Sequence, residues 1–232
     1  MLFERIRRNF QLRFKDRSSA ASILADIMRS SLKDEPKQQI LVLGIPRGGI
    51  VTAQVFASKL SIPNFDMVIT RKLTDPYNKE QAIGAITEDG TTFLDHERIN
   101  NSLISIDYIE KEKLEQIAEI KRRTALYRNK VTHSQPAAEA TTILLDDGAA
   151  TGATVIAAAR SIRKQYKPRH FMIALPVVPK PTLKLLRQEC DLVEAVIIPG
   201  NFHSVGQYYE DFNQVTDEQV MDIMRKRSMS FQ

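Results

Sequence analysis

At 232 residues, 43% of them hydrophobic and 26% charged, the chain has the profile of a globular protein of roughly one to two domains, and not of a disordered one. Lys and Arg number 33 against 28 Asp and Glu, a net charge of +5, which permits a polyanionic partner without requiring one. The single cysteine, Cys190, excludes an internal disulfide framework and a Cys-rich zinc site, and the lack of Trp excludes a Trp stacking platform.

No run of about 18 apolar residues occurs, so no membrane-spanning helix is predicted. Met1 to Asp16 mixes Phe3, Phe10 and Phe14 with Arg5, Arg7, Arg8 and Arg13. It lacks the apolar run and small-residue cleavage site of a secretory signal. Its arginines suit a mitochondrial transit peptide, but Glu4 and Asp16 argue against one, and the cytoplasm is the expected location. Ser18 and Ser19 are expected to cap a helix over Ala20 to Ser31, where Ile23, Leu24, Ile27 and Met28 recur at helical spacing. Asp34 to Lys37 reads as a polar turn and Ile40 to Ile45 as a buried strand. Pro46-Arg47-Gly48-Gly49 follows, then a helix from Ile50 to Leu60. Asp66 to Thr70 reads as a second strand and Arg71 to Glu80 as a loop. Ala82 to Thr87 and Thr91 to Leu94 are extended segments around the turn signal Asp89-Gly90, which predicts a β-hairpin or the base of a mobile arm.

Leu103 to Arg128 is the longest periodic segment. Leu103, Ile106, Leu114, Ile117 and Ile120 mark its expected buried face, with Lys111, Lys113, Lys121, Arg122 and Arg123 in solvent. Val131 to Ala140, with Pro136, reads as a linker. Thr142 to Leu145 is a buried strand, followed by a Gly/Ala/Thr loop and a helix over Val155 to Gln165. Phe171 to Leu175 and Val193 to Ile198 are further strands, separated by a helix over Pro181 to Glu189. An aromatic tail with Phe202, Tyr208, Tyr209 and Phe212 precedes a short C-terminal helix. Strands alternating with helices predict an α/β fold with a mainly parallel sheet flanked by helices. No internal repeat of 20–50 residues is present.

The segment with the most chemistry runs from Ile143 to Thr154. A buried strand delivers two adjacent carboxylates, Asp146 and Asp147, at its C-terminal end. The loop Gly148-Ala149-Ala150-Thr151-Gly152 then leads through Ala153-Thr154 into a helix. Small side chains let backbone N–H groups approach an anion, and the helix start adds donors and partial positive charge. Thr151 and Thr154 add hydroxyls. The carboxylates cannot hold a phosphate, because like charges repel. They suit the hydroxyls of a ribose, or a metal. The segment therefore asks for a sugar phosphate, with its anion on the loop and its diol on the acids.

This pattern resembles the phosphoribosyl pyrophosphate (PRPP) motif of the type I phosphoribosyltransferases: an apolar strand, two acids, three small or apolar residues, then Thr-Gly-Gly-Thr. The present chain departs from it at Ala153, which stands at the second Gly. Gly44 to Gly49 resembles the family's pyrophosphate loop. Arg47 offers a fork of donors, and Gly48 and Gly49 let amides turn inward. The family often has a strained peptide in this loop, at Pro46-Arg47 or Arg47-Gly48 here. By the same resemblance Arg71 and Lys72 supply cations to the pyrophosphate, and Leu73 to Asp95 is the flexible catalytic loop. Glu88 and Asp89 read more simply as turn residues. The nearly full-length similarity is to a branch of predicted phosphoribosyltransferases carrying Pro-Arg-Gly-Gly, Arg-Lys-Leu, Asp-Asp-Gly and Val-Gly-Gln-Tyr-Tyr segments.

The resemblance implies a single domain over 1–232, with a core at about 38–200 and a hood from 1–37 and 201–232. It implies a Mg²⁺-dependent transferase moving the 5-phosphoribosyl group of PRPP to a nitrogen acceptor, a nucleobase or related heterocycle, with pyrophosphate released. Asp146 and Asp147 hold the ribose hydroxyls, directly or through the magnesium, which falls to them directly or indirectly, and a homodimer is implied. Asp146, Asp147, Arg71 and Lys72 are the expected catalytic residues. Arg47, Gly48, Gly49 and the residues Gly148, Ala149, Ala150, Thr151, Gly152, Ala153 and Thr154 are the expected substrate-binding ones.

Other signals carry less. His96, His133, His170 and His203 form no zinc-ligating pair. Walker-type and esterase-elbow motifs are missing. Cys190 lies between Glu189 and Asp191, which disfavour its thiolate. Lys121-Arg122-Arg123 with Tyr127-Arg128 reads as a solvated helix face in preference to a nucleic-acid contact. The rival function is a non-catalytic regulator that senses PRPP or a nucleotide and binds RNA or DNA. A third is use of a phosphorylated sugar without base transfer.

Overall fold

The structure, a computed structural model, describes residues 13–128 and 140–229. Most of the N-terminal segment, with Phe3, Phe10, Arg5, Arg7 and Arg8, and the linker with Pro136 lie outside the described residues, as does His133. Five parallel strands form the central sheet, in the order β2-β1-β6-β7-β8. They are β1 (Ile40–Gly44), β2 (Asn64–Met67), β6 (Thr141–Leu145), β7 (His170–Val177) and β8 (Leu192–Ile197). A second sheet is antiparallel, β3-β4-β5, built from β3 (Thr70–Thr74), β4 (Ala82–Thr87) and β5 (Thr92–Leu94). The mainly parallel α/β fold expected from the alternation of strands and helices is the one observed.

The parallel strands are apolar without interruption because both faces are covered, as parallel sheets require. Val42, Ile143 and Leu145 face one core with α1 (Arg17–Met28) and α2 (Gly48–Lys59). Leu41, Leu43, Leu144 and Ile173 face the other, with α5 (Ala153–Tyr166) and α6 (Lys180–Leu186). The period-two alternation of side chains splits one strand between two cores.

Helix α1 starts one turn earlier than expected. Its cap is Asp16, which accepts from the Ser19 amide at 2.7 Å while Ser19 Oγ accepts from the Asp16 amide at 3.0 Å. Ser19 is thus the third-position partner of a capping box, not the cap itself. Helix α2 likewise begins at Gly48, two residues before the expected start.

The chain from Asp66 to Glu80 is also organised differently. Asp66 and Met67 belong to β2, and Thr70 opens β3, so the expected strand is divided between two sheets. Arg71 to Thr74, expected as loop, is strand. Leu73 is fully buried, and Glu112 Oε1 accepts from both the Thr74 amide (3.1 Å) and its hydroxyl (2.9 Å).

The hairpin of β4 and β5 turns through Glu88-Asp89-Gly90, as the Asp-Gly signal predicts, with Gly90 at φ +83°. A short helix absent from the sequence reading, α3 (His96–Asn101), follows it, capped by Asp95.

The long helix α4 (Ile106–Tyr127) is present, and of its expected buried face Ile120 is buried and Ile117 packs against the core, but the rest is not inside. Leu103, Ile106 and Leu114 are 87%, 76% and 69% exposed. The buried stripe is Ile109, Glu112, Ile120, Arg123 and Tyr127. Polar Glu112 and Arg123 sit on it because each has a partner: Glu112 takes Thr74, and Arg123 donates to Glu119 at 2.7 Å. Satisfied polar groups can occupy a stripe that a hydrophobicity count assigns to solvent.

The last helix is α7 (Asp217–Met229). Residues near the two ends of the described chain meet: Phe14 bridges Tyr209, with its amide donating to Tyr208 O at 2.7 Å and its carbonyl accepting from the Glu210 amide at 2.8 Å.

Candidate active site

Strands β1 and β6 are adjacent and in register, with Gly44 opposite Leu145. From β1 the chain crosses over α2 to β2 on one side. From β6 it runs to β7 and β8 on the other. The carboxyl ends of β1 and β6 thus flank a switch in strand order, the place where open α/β sheets form a ligand crevice. Two segments enter it side by side, Ile45 to Gly49 and Asp146 to Gly152. The Ile45 amide donates to Leu145 O at 3.0 Å and ties them together.

This proximity explains the glycines. A Cβ on Gly48 would collide with the Asp147 carboxylate, and one on Gly49 would lie 2.8 Å from Asp146 Oδ1 and 2.9 Å from Leu145 O. The two motifs found separately in the sequence are one packed unit. The Pro46-Arg47 peptide is cis.

The loop after the acids is partly committed already. The Ala149 amide donates to Val177 O at 3.0 Å, so it is not free for an anion. The Ala153 amide makes a long contact, 3.4 Å, to Thr151 Oγ1. Ala150 O accepts from the Thr182 hydroxyl. The amides of Ala150, Thr151 and Gly152 have no partner among the described residues. With Thr154 they form the donor-rich entry to α5, as helix starts do. Gly152 takes φ +80° as the N-cap, a conformation that favours glycine. Gly148, at φ +147°, faces Val205 and Val177 so closely that a Cβ would clash with both. Ala153 is tolerated where the family pattern has Gly: it packs with Ala82, Ala85 and Ala157, a patch of small side chains.

The two carboxylates differ. Desolvation first, then the neighbouring Asp147 charge, push the Asp146 pKa well above the usual carboxylate range, while Lys72 pulls it down. Asp147 is bound instead: Oδ2 accepts from Arg17 Nε at 2.7 Å, with both side chains under one-fifth exposed. Arg17 itself lies over the Phe212 ring, 4.0 Å from its centre, and donates to Asn213 O at 2.8 Å. Tyr209 donates its hydroxyl to Asp147 O at 2.6 Å. Arg17 was missed in the sequence because 130 residues separate it from Asp147 and no spacing rule links them. Tyr209 lies in the Val-Gly-Gln-Tyr-Tyr segment, but nothing in the sequence ties its hydroxyl to Asp147.

Arg71 and Lys72 point to different neighbours, as successive strand residues do. Lys72 acts on Asp146. Arg71 donates through Nε to Gln116 Oε1 at 2.8 Å, and burial followed by the charge of Arg123, with Arg47 also contributing, lowers its pKa. Arg47 donates through Nη1 to Asp217 Oδ1 at 3.3 Å.

The hood aromatics pack mainly on one another and on Phe14, Ala20 and Val177. The Cys190 thiol is pushed up to about 11, chiefly by burial and then by Asp191, in keeping with an inert residue. Among the described residues no group of three or more His, Cys, Asp or Glu side chains could hold a metal. Asp146 and Asp147 still suit a magnesium ion that takes most of its ligands from substrate oxygens and water, the usual mode for Mg²⁺ with phosphates. No helix among the described residues is long and apolar enough to cross a membrane.

The chain was compared with known proteins. A family profile described as phosphoribosyl transferase domain matches residues 12–213. Two Mycobacterium tuberculosis proteins, from strains CDC 1551 and H37Rv and both provisionally named phosphoribosyl transferases, are 29% identical over 218 residues. That alignment covers 94% of this chain but 48% of theirs, so the chain spans about half the length of these relatives. The crystal structure of TT1426 from Thermus thermophilus superposes with a TM-score of 0.72 at 35% identity, covering 92% of this chain and 98% of that one. The profile match takes in the crevice segments, the acid pair and most of the hood, and the chain belongs to the phosphoribosyl transferase domain family.

Proposed function

We propose that the protein transfers the 5-phosphoribosyl group of PRPP to a nitrogen acceptor and releases pyrophosphate. The observation that carries this reading is the fit of Gly48 and Gly49 against Asp147 and Asp146, which joins a cation-bearing loop to an acid pair and an anion loop in one crevice. The amides of Ala150, Thr151 and Gly152, with Thr154, hold the 5′-phosphate. Asp146 and Asp147 take the ribose hydroxyls, with Asp147 kept in place by Arg17. Asp146 or Asp147 would hold Mg²⁺, which would supply charge neutralisation for the departing pyrophosphate.

The acceptor nitrogen gives its lone pair to C1′ as the C1′–O bond to pyrophosphate breaks. Arg47, Arg71 and Lys72 offset the charge that grows on the leaving oxygens, an electrostatic contribution worth more in a water-poor crevice. Little covalent work falls to the protein; holding acceptor and C1′ in contact supplies much of the acceleration. The segment from Leu73 to Asp95 covers the reactants and keeps water from competing at C1′.

Calorimetric titration with PRPP and Mg²⁺ tests the site. Clear binding is expected, weakened about tenfold or more by Asp147→Asn or Thr151→Ala, the loss of one good hydrogen bond to a charged ligand. Unchanged binding in both variants removes the assignment. Pyrophosphate release across a panel of nitrogen heterocycles and amines then identifies the acceptor.

A further inference from the structure

Asp217 opens α7, beyond the residues matched by the family profile, yet it reaches the crevice. Three groups converge on its carboxylate: Arg47 Nη1 at 3.3 Å and the Tyr127 hydroxyl on Oδ1, and Arg122 Nη2 at 3.1 Å on Oδ2. Its side chain is 19% exposed. Burial opposes its charge, but these donors outweigh burial and bring its pKa down to about 2. Asp217 is not needed to cap α7. Thr216 Oγ1 already accepts from the Gln219 amide at 3.2 Å, and Gln219 Oε1 accepts from the Thr216 amide at 2.8 Å. The contact to Arg47 therefore needs another explanation.

Arg47 supplies it. Nη1 is its one bonded donor, and Nε and Nη2 have no partner among the described residues. A guanidinium gripped at one corner keeps the rest of its donors for an oxyanion, and a held fork loses less entropy when the anion arrives. Arg71 and Arg123 lie close enough for their charges to act on one another, and Arg47 acts on Arg71 too. Unrestrained, Arg47 would swing away from these like charges into solvent.

We propose that Asp217 is a positioning residue for pyrophosphate, holding Arg47 through Nη1 so that Nε and Nη2 meet a phosphate oxygen. This deepens the function proposed above and rests on the pyrophosphate role given there to Arg47.

The test is a double-mutant cycle read as PRPP affinity in the presence of Mg²⁺, using wild type, Arg47→Met, Asp217→Ala and the pair. Arg47→Met weakens PRPP binding by about tenfold or more, as loss of a charge-assisted fork should. Asp217→Ala weakens it about fivefold in the wild-type background and adds almost nothing in the Arg47→Met background, because coupled residues are non-additive. Asp217→Asn retains an acceptor for Nη1 and recovers most of the loss. Asp217→Ser, too short to reach Arg47 but well suited to a helix start, repeats the cycle should the Ala variant fold poorly.

Equal losses in both backgrounds would mean that Asp217 acts structurally and overturn the inference. Tighter binding in Asp217→Ala would overturn it in another way, making the carboxylate a competitor for Arg47. If Arg47→Met binds PRPP like wild type, the pyrophosphate role of Arg47 falls and this inference with it. If Arg47→Met loses affinity but Asp217→Ala does not, only the inference falls.

Discussion

Asp146 is a carboxyl whose folded environment disfavours its charged form. Burial acts first, and then the neighbouring Asp147 charge, so its proton is held to higher pH than on a free aspartate. Folding must therefore protonate this side chain, or bear its charge, at any pH above the ordinary aspartate range. The folded state binds the extra proton there, so stability falls as pH rises from about 4 toward the raised value and levels off beyond it. Asp146→Asn mimics the neutral form at every pH. It is expected to melt higher than wild type at pH 7, with the gap closing as pH drops toward 4. A gap that stays constant over that range would mean that the proton is not retained. The acid pair was legible in the sequence because both residues sit in one short motif with a chemical logic. Their inequality was not legible. It comes from desolvation and from Arg17 on Asp147, both products of packing between distant segments. The same holds for Ala149, whose amide serves Val177 and not an anion.

At the scale of the element, boundaries and types were readable wherever a strand was buried on both faces, as in β1, β6 and β7. Helix α4 shows the limit. Its length was evident, but its rotation about its own axis only partly so: Ile120 lies inside as expected, while Glu112, Arg123 and Tyr127 share the inner stripe and Ile106 and Leu114 lie outside it. A hydrophobicity count has no way of knowing that Thr74 would arrive to satisfy Glu112. The division of Asp66 to Thr74 between two sheets was hidden for a similar reason: an apolar run does not state which partner strand it will find. The rotation has a direct consequence for stability. Leu114→Lys should change the unfolding free energy by no more than about 0.5 kcal/mol, the normal scale for exposed positions. Ile120→Ala should cost about 2–5 kcal/mol through lost burial and a residual cavity. Chemical denaturation of both variants checks the pair, and similar losses at the two positions would place the helix in the other orientation.

Across the whole molecule, the crevice draws on nearly every part of the described chain: Arg17 from α1, Arg47 after β1, Lys72 in β3, Asp147 after β6, Tyr209 in the hood and Asp217 in α7. The net charge of +5 acquires a different meaning in that light. Several cations that a linear reading leaves for a polyanion are tied to specific carboxylates. Arg122 and Arg123 hold Glu119, and Arg122 also reaches Asp217. Arg128 donates to Glu88 at 2.7 Å and lies 3.4 Å from Asp66, with only 9% of its side chain exposed. A surface that binds RNA releases counterions from each phosphate it neutralises, which makes affinity fall steeply with salt. Arg123 and Arg128, each 9% exposed and held by carboxylates, contribute little to that release, whereas Arg122 is 51% exposed. The basic stretch from Lys121 to Arg128 thus offers solvent chiefly Lys121 and Arg122, the latter already paired with Glu119 and Asp217. Binding of a single-stranded RNA of about 20 nucleotides should therefore be weak, with a log–log salt slope equivalent to no more than about two phosphate contacts. A slope matching six or more contacts, reduced by Arg122→Ala and Lys121→Ala, would instead favour the nucleic-acid-binding regulator. PRPP titrated into the same samples separates the two functions further: a PRPP-sensing regulator would change its RNA affinity as PRPP saturates, since linkage requires the coupling to run both ways, whereas a transferase with this charge arrangement would leave the RNA isotherm where it was.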